Sequence, residues 1–280
     1  MDKQIKFKII FVLLGLAAID FLVWHSIILI PRYSELDFLN VGQGDASLLK
    51  FFNSGTVLID AGPDQSILNG LGQSLSFFGK ELDILILSHA NLDHYAGFFD
   101  VLKHYQPRVF VYNGFDGQSA TFNNLLQILK EKGVIIFKMA AGDKIKSGQS
   151  VLEILSPNAQ SMPKDVNDAS LVFRLSVNNF KTLFLGDTSS RVLGGLDADL
   201  RSDIVKISHH GSKTGTSKNI LDLVQAKIAL IGAGKDNRFN HPAQEIIALL
   251  KQSGIDIFRT DEDGNIRIIF GSQLELMKNY

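Results

Sequence analysis

The stretch Leu87-Ser88-His89-Ala90-Asn91-Leu92-Asp93-His94 decides the reading of this chain. It follows the apolar run Ile84–Ile86, so a strand delivers His89 at its end and a short turn gathers Asn91, Asp93 and His94 beside it. An isolated His–Asp pair is more often a hydrogen-bonded core pair. Two imidazoles, a carboxylate and an amide within six residues instead suit a borderline divalent ion, zinc or manganese. The 280 residues include no Cys. Disulfides, thiolate nucleophiles and Cys-ligated zinc are thereby excluded, and any metal must be held by His, Asp, Glu or Asn.

Working outward, the remaining histidines sort by what precedes them. His25 lies in an apolar segment and His104 at a helix end; both are expected to be structural or solvated. His209, His210 and His241 follow apolar strands, the places where α/β proteins build sites. Ser208-His209-His210-Gly211-Ser212 puts two adjacent imidazoles before a glycine, a pattern that packing alone rarely produces. Leu183-Phe184-Leu185-Gly186-Asp187 pushes a carboxylate out of a strand tip, although Gly-Asp is also an ordinary turn. Asn237-Arg238-Phe239-Asn240-His241-Pro242 is partly a helix start with Pro at its first position. Asn40-Val41-Gly42-Gln43-Gly44-Asp45-Ala46 is a tight glycine turn that aims Asp45 or its backbone amides.

Between these motifs, short apolar runs alternate with helix-like stretches. Strands are expected at Leu36–Val41, Ala46–Phe52, Thr56–Asp60, Ile84–Ser88, Val109–Tyr112, Val134–Lys138, Val151–Leu155, Ser170–Val177, Thr182–Leu185, Ile204–Ile207, Ile228–Ile231, Ile255–Arg259 and Ile266–Phe270. Helices are expected at Ser66–Phe78, Gly97–His104, Thr121–Lys132, Ser217–Leu223 and Ala243–Gln252, and hairpin turns at Asn53-Ser54-Gly55 and Asn178-Asn179. Strands first and strand–helix units afterwards imply an α/β sandwich of sheets flanked by helices. Composition is an ordinary globular balance: 45% apolar, 20% charged, net charge -1. That balance excludes a disordered chain and a wholly basic nucleic-acid-binding surface, while leaving room for a local basic patch.

The N-terminus is a separate object. Ile9 to Ile30 is almost continuously apolar, broken by Asp20, His25 and Ser26. At 1.5 Å per residue it spans roughly 33 Å, about one bilayer core. Its many Leu, Ile, Val and Phe side chains favour insertion by ~0.3–0.6 kcal/mol each and together outweigh the ~2.5–3.5 kcal/mol cost of Asp20. Lys3, Lys6 and Lys8 precede the span, so the positive-inside bias puts the short tail in the cytoplasm and the main domain outside. A cleaved signal peptide, with Gly15-Leu16-Ala17 as its site, and a docked helix are the alternatives. Residues 1–31, closed by Pro31, are read as tail and membrane anchor, and residues 34–272 as one large domain.

His89-x-Asn91-x-Asp93-His94 resembles the metal motif of the metallo-β-lactamase fold. Asp37 to Ala46, Leu58-Ile59-Asp60-Ala61-Gly62, Asn167 to Val172, Gly186-Asp187, His209 to Ser212 and Asn240-His241-Pro242 make the likeness more specific. Together, from Ser34 to Phe270, they resemble the extracellular metallohydrolase domain of the ComEC competence proteins, which are DNA-uptake channels. The resemblance implies an αβ/βα four-layer sandwich and two divalent metal ions, zinc or manganese. It implies His89, Asn91 and His209 on the first ion, Asp93, His94 and His241 on the second, and Asp187 bridging. His210 stands as the alternative ligand to His209, or faces the substrate. Asp93, Asp45 and His210 are the catalytic candidates. Asp60 is expected to orient a ligand His, with Asn167 also just behind the ligands. Lys206, Ser212 and Arg238 are expected on the substrate side, and Lys213, Lys218 and Lys235 add local positive charge.

Two departures stand out. Asn91 replaces the His of the wider superfamily and the Asp common in ComEC-like domains, which weakens the first metal site. The superfamily's third His is absent, with Asn167 near its place. The match includes none of the channel helices, so a separate DNA-uptake channel is the expected partner. The implied function is a single-pass, membrane-anchored phosphodiesterase or nuclease acting on DNA outside the cytoplasm. The alternatives are a same-fold hydrolase of another ester, lactone or phosphorylated wall component, and a non-catalytic binding module with a decayed first site.

Overall fold

A computed structural model describes residues 3–28, 33–52, 54–75, 82–115 and 119–280. The chain divides into two compact units, Met1–Arg32 and Tyr33–Tyr280. The first is helix α1 (Lys3–Ile28). Its segment Phe7–Trp24 has mean hydropathy 2.2 and none of it is buried, so α1 is long and apolar enough to cross a membrane. The Pro31 boundary lies outside the described residues.

In the second unit, strands β1 (Ser34–Phe38), β2 (Ser47–Lys50), β3 (Thr56–Ile59), β4 (Ile84–Ile86), β5 (Val109–Tyr112) and β6 (Ile135–Lys138) belong to one sheet. Strands β7 (Lys144–Ser147), β8 (Ser150–Ser156), β9 (Val172–Val177), β10 (Phe180–Phe184), β11 (Ile204–Lys206), β12 (Ile228–Ile231) and β13 (Asp256–Arg259) form a second. The chain then returns, and β14 (Ile266–Phe270) and β15 (Leu274–Lys278) complete the first sheet in the order β15-β14-β1-β2-β3-β4-β5-β6. The helices of this unit are α2 (Ile67–Ser74), α3 (Leu92–Tyr95), α4 (Phe98–His104), α5 (Ala120–Glu131), α6 (Ser190–Leu193), α7 (Lys218–Val224), α8 (Gln244–Gln252) and α9 (Thr260–Asp263).

The central strands are apolar on both faces because both faces are covered. In β3, Val57 and Ile59 enter the core between the sheets while Leu58 points to the helices of the first sheet. In β11, Ile204 faces the other sheet and Val205 faces α7 and α8. Three cores separate four layers: Phe98, Phe110 and Phe122 behind the first sheet, Phe38, Phe173 and Phe184 between the sheets, and Leu183, Ile220 and Leu250 behind the second. Each fully buried side chain of this kind contributes about 1.5–3 kcal/mol. This is the expected α/β four-layer sandwich.

The local differences have physical causes. Strands β7 and β15 are not among the expected strands; both are edge strands, and the alternation in β7 is only Lys144-Ile145-Lys146-Ser147. The helix expected over Ser66–Phe78 is α2, which ends at Ser74 before an extended Leu75; Phe77 and Phe78 lie outside the described residues. Asn178, with φ 53°, makes the two-residue turn that pairs Val177 with Phe180. Asn53 of the other expected hairpin is outside the described residues.

Candidate metal centre

Strands β3 and β4 run parallel, and their C-terminal ends start the site. After β4, the amide of Leu87 donates to Val111 O and the carbonyl of Ser88 accepts from Leu171 N, fixing the exit of the strand between the two sheets. The next turn places His89, then α3 begins after an extended Asn91 and carries Asp93 and His94 in a single turn. Asp60, with φ 56°, follows β3 and turns its carboxylate into the same space. From the second sheet, β10 leads to Gly186-Asp187 and β11 to a 3-10 turn, Ser208–Gly211. His209 and His210 in that turn have φ 50° and 52°. Non-glycine residues at positive φ cost about 1 kcal/mol or more each, so the surroundings must hold both imidazoles in place.

Asp187 is the centre of the arrangement. Its Oδ2 lies 3.8 Å from His89 Nε2, 3.4 Å from His94 Nε2, 3.8 Å from His209 Nε2 and 3.6 Å from His210 Nε2. The outward nitrogens of the buried imidazoles are engaged elsewhere. His94 Nδ1 pairs with Asp60 Oδ2 at 2.8 Å, and His210 Nδ1 donates to Gly232 O at 2.9 Å. Ser88 Oγ donates to Asp60 Oδ2 at 2.7 Å and lies 3.0 Å from His89 Nδ1. Each ring therefore turns Nε2 toward Asp187, and the Nε2 atoms of His89 and His94 are buried without a hydrogen-bond partner. Imidazoles fixed through one nitrogen and free at the other are the usual posture of metal ligands. Asp45, His94, Asp187 and His210, all buried, each offer a ligand atom within 4.8 Å of the others.

The electrostatics follow from this crowding. Burial alone would lower His94 and His210; the carboxylates around them overcome it. His94 is held well above its ordinary value by Asp187, Asp60 and Asp93, and His210 is raised to about 9 by Asp187 and Asp45. His89, buried and beside His94, is pushed down to about 3. Burial opposes ionisation of Asp187, Asp93 and Asp45, but neighbouring cations prevail and all three are depressed, Asp45 to about 2 with Lys206 as its strongest partner. A divalent cation would take over the role that these protons have here, which suits the acidic donor set to a metal.

The site residues expected from sequence are distributed unevenly around this centre. Asp93 Oδ2 lies 3.2 Å from His210 Nε2, and its side chain is one-third exposed. His210 is buried and His209 is half-buried, so the adjacent pair divides into an inner and an outer ring. Among the described residues no ion pair joins His241 to Asp187; it meets His209 edge-on at 5.8 Å, and its Nδ1 is buried without a hydrogen-bond partner. Asn91 Nδ2 donates to Asn167 Oδ1 at 2.6 Å, so the two neutral departures from the family pattern are bonded to each other. Ser212 is buried and bonds Thr214 through its hydroxyl.

Lys206, expected on the substrate side, is instead only 2% exposed. Its ammonium is ion-paired with Asp45, lies 3.6 Å from Asp187 and donates to Gly186 O. Lys206 ends β11, next to the strand that leads to Gly186-Asp187, so its ammonium points into the cluster rather than to solvent. Lys213 and Lys218 are paired with Glu245 and Asp222 and add no net field. Arg238 remains exposed, beside Lys235. Ser88, unassigned from sequence, bonds both Asp60 and His89; its place immediately before His89 was the only signal.

Two glycines let the loops converge. A Cβ on Gly44 would overlap the Asp93 carbonyl, and one on Gly232 would overlap Asp45 Oδ1 and lie 2.7 Å from Gly44 O. The Gly42–Asp45 turn, α3 and the loop after β12 therefore meet backbone to backbone around the cluster.

The metallo-beta-lactamase superfamily matches residues 39–235. The chain is 30% identical over 267 residues to ComE operon protein 3 of Bacillus subtilis (strain 168), covering 88% of this chain and 34% of that protein. It is 26% identical over 239 residues to competence protein ComA of Neisseria gonorrhoeae, covering 83% and 32%. It thus spans about a third of the length of these relatives. Among solved structures, the metallo-beta-lactamase fold protein YhfI from Bacillus subtilis superposes with TM-score 0.55 at 12% identity, covering 81% of this chain and 96% of that one. The fold is one that binds divalent metals, and the four-residue cluster is its candidate site here. By sequence and by fold, the chain belongs to the metallo-β-lactamase superfamily.

Proposed function

We propose that this chain is a metal-dependent phosphodiesterase acting on DNA, anchored by α1 with its main domain on the extracytoplasmic side. The observation that carries the reading is the carboxylate of Asp187 facing four imidazole Nε2 atoms at 3.4–3.8 Å. Asp93, His94, Asp187 and His210, with Asp45 beside them, would hold one divalent ion; His89, Asn91 and His209 would hold a second, weaker one across Asp187. Zinc and manganese both suit these donors. A divalent ion held there supplies Lewis acidity and brings the pKa of a bound water toward ~7.

The chain's own groups supply the rest. Asp60 and Gly232 O orient the rings of His94 and His210 and fix which nitrogen faces inward. Lys206 offsets the charge of Asp45 and Asp187. Asp93, whose side chain reaches solvent, is placed to take a proton from an attacking water. Names of the relatives, competence proteins of much greater length, support DNA as the substrate class. The hydropathy of Phe7–Trp24 supports a membrane surface, and Lys3, Lys6 and Lys8 support a cytoplasmic tail. A separate DNA-uptake channel is the partner this reading calls for.

The Asn91–Asn167 bond favours one rival, a binding module whose first site has decayed. A single comparison separates the two. Full-length protein in detergent, stripped with EDTA and reloaded with Mn²⁺ or Zn²⁺, is expected to hydrolyse bis(p-nitrophenyl) phosphate and DNA. Asp93→Ala is expected to lose both hydrolysis and tight metal binding while keeping its circular dichroism spectrum. Folded wild-type protein that takes up no metal at micromolar concentration, or an Asp93→Ala variant as active as wild type, would leave the binding module as the better account.

A further inference from the structure

Beside Asp93 opens a groove of about 610 Å³, with Leu92 and Phe239 among its lining residues and Lys235 and Arg238 at its rim. Phe239 is 49% exposed and Leu92 57%, so two large apolar side chains stand open at the mouth of a charged centre. Lys235 and Arg238 are exposed, and among the described residues neither is ion-paired with a carboxylate, in contrast to Lys213 and Lys218 nearby. The Arg238 guanidinium lies over the Phe239 ring, 4.7 Å from its centroid.

The loop that carries these groups is held rigidly. Asn237 Nδ2 donates to Gly234 O and His241 O, and Asn237 Oδ1 accepts from the amides of Phe239 and His241. Gln43 Oε1 accepts from Gly234 N and ties the loop to the opposite turn. The backbone that carries the exposed phenyl ring is therefore held in place. It also continues toward the metal centre. Phe239 stacks on His241 at 5.8 Å and 24°, His241 meets His209 at 5.8 Å, and His209 Nε2 is 3.8 Å from Asp187.

We propose that this groove is a subsite for single-stranded polynucleotide. One unpaired base stacks on Phe239, and the flanking phosphates are held by Lys235 and Arg238. This assignment rests on the phosphodiesterase reading and gives it a strand preference. A flat guanidinium already occupies one face of Phe239; when Arg238 turns to a phosphate, a nucleobase takes that face. A base inside a duplex has no free face, so stacking selects single strands. Asp64 also lines the groove, its Oδ1 accepting from Ser66 N, so the phosphates are assigned to the opposite, Lys235 and Arg238 side.

The test uses full-length protein in detergent with EDTA present, so that binding is read without hydrolysis. A fluorescein-labelled single-stranded 20-mer is titrated by anisotropy. Phe239→Ala is expected to weaken binding by about 5- to 150-fold, the range for loss of one base–aromatic stack. Phe239→Trp is expected to retain it, and Phe239→Leu is not. Lys235→Gln with Arg238→Gln is expected to flatten the dependence of log affinity on log salt by ~0.7 for each phosphate no longer neutralised. Wild-type affinity in Phe239→Ala, or an equal loss on blunt duplex of the same sequence, overturns the subsite while leaving the hydrolase standing. Failure of metal-loaded wild type to cleave bis(p-nitrophenyl) phosphate overturns the hydrolase reading instead.

Discussion

Asn91 and Asn167 face each other across a 2.6 Å hydrogen bond where the family pattern has charged or imidazole donors. An amide engaged in that way offers a divalent ion only a neutral oxygen, so the His89 side of Asp187 should bind its ion more weakly than the His210 side. Asn91→Asp is expected to raise affinity at the weaker side by about 10-fold or more. Metal titration followed by native mass spectrometry reads this directly, and an unchanged stoichiometry and affinity would count against it. Lys206 lends itself to a second substitution. Its ammonium is buried against Asp45 and Asp187, and removing one partner of a buried ion pair costs about 3–5 kcal/mol. Lys206→Met should lower the unfolding midpoint of the metal-free protein, and added metal should recover much of the loss because the ion offsets the same carboxylates. A metal-free midpoint equal to wild type would show that Lys206 is not needed there. Sequence spacing made the cluster of His89, Asp93 and His94 legible, because those residues share one short turn. It did not reveal that Lys206 points inward, since a lysine after an apolar strand reads as surface. Nor did it decide between His209 and His210, whose orientation depends on two consecutive positive-φ residues.

At the level of elements, the site depends on three loops from different parts of the chain meeting without side chains between them. Gly232 is the clearest case, because its carbonyl accepts from His210 Nδ1 while its α-carbon abuts Asp45. Gly232→Ala has no backbone conflict at its own φ, so any effect arises from crowding. It should destabilise the fold by about 1–3 kcal/mol, the usual cost of overpacking, and should loosen metal binding by displacing Asp45 and His210 together. Parallel thermal melts and metal titrations check this; a variant indistinguishable from wild type in both would mean that the loops separate easily. The same dependence on tertiary pairing explains which elements were readable. The buried strands of both sheets carry continuous apolar runs, such as Ile84–Ile86 and Ile228–Ile231, and were evident without any structure. Strands β7 and β15 pair only at sheet edges, where Lys144, Lys146, Glu275 and Lys278 meet solvent and the apolar signal is thin. Short α3 and α6 are single turns fixed by their neighbours rather than by periodicity.

For the molecule as a whole, the decisive contrast is between α1 and everything after it. All three hydrophobic cores are built from residues between Leu36 and Phe270, with Leu274 and Leu276 packed at the margin. Along α1, Phe11, Val12, Leu14, Phe21 and Trp24 are all more than half exposed. A helix of this length and hydropathy can cross a bilayer, and the proposed reading makes it an anchor rather than a part of those cores. On that reading, removing residues 1–32 should leave the stability of the sandwich unchanged and give a chain that stays soluble without detergent. The expected result is a monodisperse species by gel filtration without detergent. Its thermal midpoint should lie within error of the full-length protein, and its metal stoichiometry should be the same. Any midpoint shift at constant solubility would reveal contacts between α1 and the domain. Recovery of the shortened chain only as aggregate, with the full-length chain folded in detergent, would mean that the N-terminal segment completes the fold rather than tethering it.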